Sequence, residues 1–218
     1  MALTWLYGLL PFRSPASPRK LRLFTCACCR RNLLPDQANR DLVVAVEDYP
    51  HAPSRDARGI DGWSQIYPEL DAALSASSRR EHEWGENPFY WAVKYLGRSY
   101  YKYTPLSSAL AVGGKIVRAF DGVRMAAEQD AQAHLVRDIF VQPNQSLSLD
   151  PAWLQYREGV VHKLAQAIYE DRAFDRMPIL GDALEEAGCN NPDLLSHCRC
   201  PGPHVRGCWV VDLLLGKD

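Results

Sequence analysis

The chain lacks an excess of charge of either sign, a long apolar run and the short motifs of the commoner enzymes. Its 25 basic and 26 acidic residues leave a formal net charge of -1, so no whole-chain field draws it to nucleic acid or an anionic membrane. No apolar stretch approaches the ~18 residues of a membrane span. The longest, residues 209–215, is interrupted by Asp212. The first ten residues are apolar, but no Lys or Arg precedes them and no small-residue cleavage pattern follows. They read as a docking segment rather than a signal peptide, and the cytoplasm is the expected compartment. There is no Gly-x-Ser-x-Gly elbow and no His-Glu-x-x-His. Gly113-Gly114-Lys115 is not a phosphate loop, because Ala109 stands where the first glycine belongs and Ile116 replaces the hydroxyl residue. An enzyme is therefore the less expected class.

What is present is an ordinary globular composition, 47% hydrophobic and 23% charged over 218 residues. A chain of that length buries roughly 70% of its unfolded surface without needing disulfides. The expectation is one all-α domain over 1–218, a single compact multi-helix unit. A candidate subdivision lies near 141–149, where the composition turns polar.

The helical reading rests on prolines. Ser17-Pro18, Asn87-Pro88, Thr104-Pro105, Asp150-Pro151 and Asn191-Pro192 each pair a capping side chain with a proline at the first helical position. Helices are expected over 18–31, 36–48, 68–80, from 87, from 105, from 150, over 178–187 and 192–198, and over 204–215. Residues 51–63 read as a loop. Gly113 and Gly114 are expected to break or kink the helix that starts at Pro105. Val123, Ala127, Ala131, Leu135 and Ile139 recur every four residues and mark one face of a long helix.

The seven cysteines are grouped. Cys26, Cys28 and Cys29 lie near the start, and Cys198, Cys200 and Cys208 near the end with His197 and His204; Cys189 stands apart. Cys26-x-x-Cys29 and His204-x-x-x-Cys208 each align two donors on one helical face. Together they form a complete tetrahedral zinc set, with Cys198 as the substitute ligand. The expectation is that the N- and C-terminal helices pack together at this Cys/His cluster, with zinc contributing on the order of 10 kcal/mol to folding. Arg30, Arg31, Arg199 and Arg206 flank the clusters and offset the thiolate charge. Two other readings stay open. In one, these thiols are inert core, since cysteine is a common buried residue; in the other, Cys26 to Cys29 form a redox pair, although no βαβ pattern surrounds them.

Two further features carry candidate sites. Residues 13–31 hold Arg19, Lys20, Arg22, Arg30 and Arg31 without an acid, a candidate nucleic-acid contact whose alternative is pairing with the acidic residues of 170–186. Residues 84–103 are dense in aromatics. Trp84, Tyr90, Trp91 and Tyr101 are the candidate partner-binding residues there, against a plain core role.

Several blocks bear a resemblance: LRLFTCACCRR at 21–31, LVRDIF at 135–140, DPAW at 150–153, ALEEAGC at 183–189, HCR at 197–199 and GPHVRGCWVVDLLLGK at 202–217. Together they resemble an uncharacterised protein family abundant in planctomycete bacteria. The resemblance implies one integrated domain and no particular activity. Glycine usually stands in that family where this chain has Cys200, which disfavours Cys200 as a ligand. The functional expectation is a non-enzymatic protein-interaction or adaptor module with a structural zinc site and another protein as partner. The alternatives are a zinc-dependent hydrolase or thiol redox enzyme, and a nucleic-acid accessory protein using the basic first helix.

Overall fold

A computed structural model of the chain describes residues 17–32, 37–48, 105–140 and 149–217. The helices expected over 68–80 and from 87 lie outside the described residues. So do the loop at 51–63, most of the 141–149 stretch, and Trp84, Tyr90, Trp91 and Tyr101.

Among the described residues the fold is all-α, with nine α-helices and no strand. They are α1 (Pro18–Arg31), α2 (Gln37–Glu47), α3 (Pro105–Arg118), α4 (Gly122–Ile139), α5 (Pro151–Gln155), α6 (Val160–Asp171), α7 (Met177–Glu186), α8 (Pro192–Arg199) and α9 (Trp209–Leu214). Where described, the expected caps form. The Ser17 hydroxyl accepts from the Lys20 backbone N–H, the Asp150 carboxylate from that of Ala152, and the Asn191 side chain from those of Asp193 and Leu194. Each is worth about 1 kcal/mol against alanine, because a helix start otherwise leaves those donors unpaired.

The chain divides into two units, the described residues falling into 17–133 and 134–217. In the first, α1 packs against α2 and α3. Residues 21–29 of α1 are buried on every side, including Arg22 and Thr25. The Thr25 hydroxyl is satisfied by the Leu21 carbonyl at 2.7 Å. Leu42, Val43 and Val46 of α2 and Val112, Ile116 and Val117 of α3 add to the buried apolar residues of this unit.

Two expectations fail here for physical reasons. The glycines at 113 and 114 do not break α3. Gly113 lies against Gln132, whose Nε2 donates to the Gly113 carbonyl at 3.2 Å, and a Cβ there would meet Gln132 Oε1 at 3.2 Å. The glycine serves close approach rather than a bend. The every-fourth stripe of α4 is also not one buried face. Val123 and Ala127 are exposed, whereas Leu135 and Ile139 are buried. A spacing of four drifts about 40° per step around a helix of 3.6 residues per turn, so the two ends of the series point apart.

The second unit holds the last turns of α4 and α5 to α9. Its core joins Trp153, Val161, Ala165, Ile168, Met177, Leu180, Leu184, Leu194 and Val210 among others. The helix expected from Asp150 breaks once. Residues 156–158 form a 3-10 turn, Gly159 sits at φ 82, and α6 begins after it. The terminal helix is shorter than the expected 204–215. Gly207 at φ 96 is left-handed, and α9 starts only at Trp209. Residues 200–208 therefore form a loop, and its course positions the site.

Candidate metal centre

Four side chains meet in the second unit. Asp138 stands on the last turn of α4 and His197 on α8. His204 lies in the following loop, and Cys208 directly precedes α9. Each offers one donor atom, and all four atoms lie within 4.8 Å of one another. Asp138 and Cys208 are buried, and the histidine side chains are 15% and 7% exposed. Among the described residues this is the group of acids, histidines and cysteines arranged to hold a metal ion.

Asp138 organises it. Its Oδ1 accepts from His204 Nδ1 at 2.7 Å and His197 Nε2 at 3.1 Å, and its Oδ2 accepts the Val205 backbone N–H at 2.9 Å. Burial pushes its carboxyl up, but the hydrogen bonds and charges of the two histidines outweigh that and hold it below the ordinary 3.8. His204 is the counter-ion. Its Nε2 faces the Cys200 carbonyl at 3.1 Å, so both ring nitrogens face acceptors and both carry protons when the ring is charged. Burial opposes that charge; the Asp138 hydrogen bond and charge, with the Cys200 carbonyl, overcome it and raise His204 above 6.5.

Cys208 Sγ lies 3.3 Å from His197 Nε2. Burial, then the Asp138 charge, push its thiol well up, while the backbone N–H groups of Val210 and Val211 act in the opposite direction. The Trp209 indole N–H donates to His197 Nδ1 at 3.1 Å. An indole nitrogen has no acceptor capacity, so Nδ1 is the acceptor and the proton of a neutral His197 ring sits on Nε2.

The donor set fits a divalent metal. One thiolate and one carboxylate balance two positive charges, which lowers the cost of burying the ion. Tetrahedral zinc with bonds of about 2.0 to 2.3 Å places its ligands about 3.3 to 3.5 Å apart. To reach that spacing the closest pair, at 2.7 Å, must open by up to about 0.8 Å, and donors that stand as much as 4.8 Å apart must close by up to about 1.5 Å.

Of the ligands expected from sequence, the structure brings together His204 and Cys208. They converge through the Gly207 turn and not on one helical face as their spacing predicts. Cys26 and Cys29 lie buried in α1 of the first unit, where burial above all pushes both thiols well up. Cys198 points away from the group. It follows His197 by one residue, about 100° around the helix, and its Cβ faces Gly181 of α7. Asp138 and His197 were not in the expected set. The signal for Asp138 was an acid among Leu135, Val136 and Ile139, at the spacing of their buried face. His197 was visible as a histidine beside the second cysteine group.

Arg22 is buried, Arg30 donates to Glu47 at 2.6 Å, and Arg31 lies 3.9 Å from Glu128. Glu47 belongs to α2 and Glu128 to α4. Among the described residues no helix is long and apolar enough to cross a membrane. The chain matches no protein family, curated protein or solved structure in the comparisons made.

Proposed function

We propose that the second unit is a zinc-stapled helical module that acts by binding another protein rather than by chemistry at the metal. The observation that carries the zinc staple is the convergence of Asp138, His197, His204 and Cys208 in one group. Four protein donors fill the tetrahedral positions of zinc, the pattern of structural sites; catalytic sites keep a position for water. The ion would tie the end of α4 to α8, the 200–208 loop and the start of α9. Cross-linking elements 59 to 67 residues apart in the chain is a large contribution to stability, on the order of 10 kcal/mol for structural zinc.

The test is elemental analysis of the purified chain, followed by thermal unfolding with and without a strong chelator. One zinc per chain, lost in Cys208→Ser and kept in Cys26→Ser and Cys29→Ser, is the expected result. A chain that takes up no zinc, or whose unfolding ignores the chelator, overturns the reading.

A further inference from the structure

Three of the four donors are held as metal ligands are held, by a partner on the far side that leaves the donor atom facing the cluster. His204 Nε2 faces the Cys200 carbonyl and leaves Nδ1 inward. Asp138 Oδ2 accepts from Val205 and leaves Oδ1 inward. Cys208 Sγ is flanked by the N–H groups of Val210 and Val211. His197 is held in the opposite sense. Its outer nitrogen, Nδ1, accepts from the Trp209 indole, so its inner nitrogen, Nε2, carries the proton and donates toward Asp138 and Cys208. A metal at Nε2 needs the lone pair that this proton occupies. With the proton moved to Nδ1, an N–H would point at the indole N–H, donor against donor. Full coordination therefore requires Trp209 to withdraw.

We propose that the His197–Trp209 pair is a latch that makes zinc uptake reversible and couples it to the start of α9. The proposal rests on the zinc reading above. With the latch closed, the indole N–H sits on Nδ1 and the ring proton on Nε2. On loading, zinc displaces the Nδ1 proton of the His204 imidazolium and the thiol proton of Cys208, and both leave to solvent. The His197 proton passes by exchange with water from Nε2 to Nδ1, and the metal takes the freed Nε2 lone pair. The indole N–H must then find another acceptor. Trp209 is buried and is the first residue of α9, so its withdrawal displaces that helix start. Zinc thereby becomes a signal that the module reports, not only a staple.

Trp209→Phe keeps an aromatic ring and removes the opposing donor. Zinc affinity is measured by competition with a chromophoric chelator for the full chain and the variant, and indole ¹H–¹⁵N resonances of the full chain are followed through a zinc titration. The variant is expected to bind about tenfold tighter, since an unpaired buried donor no longer accompanies loading. Mere loss of packing would weaken binding instead. The Trp209 indole resonance is expected to shift as one equivalent of zinc is added. Equal or weaker binding by the folded variant, or an indole resonance that zinc does not move, overturns the latch and leaves the staple standing. No zinc uptake by either protein overturns both. If the variant does not fold, the indole titration of the unmodified chain decides alone.

Discussion

Replacing Asp138 by asparagine in the metal-free chain isolates the organising group of the cluster. The carboxylate accepts three hydrogen bonds, from His197, His204 and Val205, and its side chain is 4% exposed. Asparagine has one oxygen. If that oxygen faces the histidines, its NH₂ group faces the Val205 N–H; if it is turned around, the NH₂ group faces two imidazole donors. In either orientation His204 loses its counter-ion in a buried place. Removing one member of a buried ion pair costs about 3–5 kcal/mol, mostly because the other is left uncompensated. Urea unfolding in chelator, followed by far-ultraviolet circular dichroism, reads that loss as a lower midpoint at constant slope. Adding His204→Gln should cost less than the sum of the single changes, by about 1–3 kcal/mol, because the pair is coupled. The same pair sets a pH window. Asp138 is held below 3.8, so its contribution is present above that value and is lost as pH falls through the lower folded value. His204 is raised above 6.5, so its contribution is complete below 6.5 and is lost as pH rises through the higher folded value. The metal-free chain should gain most from the pair between about pH 4 and 6.5, and Asp138→Asn should flatten that maximum. A loss under about 1 kcal/mol, the scale of an exposed pair, or an unchanged pH profile refutes the buried ion pair.

Two further changes test the packing around the site. Gly181→Ala should destabilise the chain by about 1–3 kcal/mol although alanine is the better helix former. The new Cβ would lie 3.0 Å from that of Cys198, and a raised melting temperature would sink the close approach of α7 and α8. Brief alkylation of the native chain, read by mass spectrometry, should modify Cys200 first, because it is exposed and the other six cysteines are buried. Burial also pushes the Cys26, Cys28 and Cys29 thiols well up, so labelling of any of these three as fast as Cys200 contradicts the packing of α1.

Among the described residues, helix starts proved legible where their cause is local. A capping side chain followed by proline marks a start whatever lies elsewhere in the chain, and α1, α5 and α8 begin where Ser17, Asp150 and Asn191 place them. The ending of α7 at Gly188, φ 91, is equally local. Half of the centre, His204 and Cys208, was visible because the two are four residues apart and must be neighbours in a helix or in a tight turn. The turn prevailed over the helix because Gly207 takes a left-handed φ. The choice of companions was not local. Asp138 reaches His197, His204 and Val205 across 59 to 67 residues, and no spacing rule spans such a distance. Whether an acid in an apolar helix turn meets two imidazoles or remains a destabilising oddity depends on how α4, α8 and the 200–208 loop pack. The rotation of one helix by a single residue likewise selected His197 over Cys198. Chain-local forces shape elements; long-range packing chooses which donors share a buried space, because only there does the cost of leaving each one unpaired force them together.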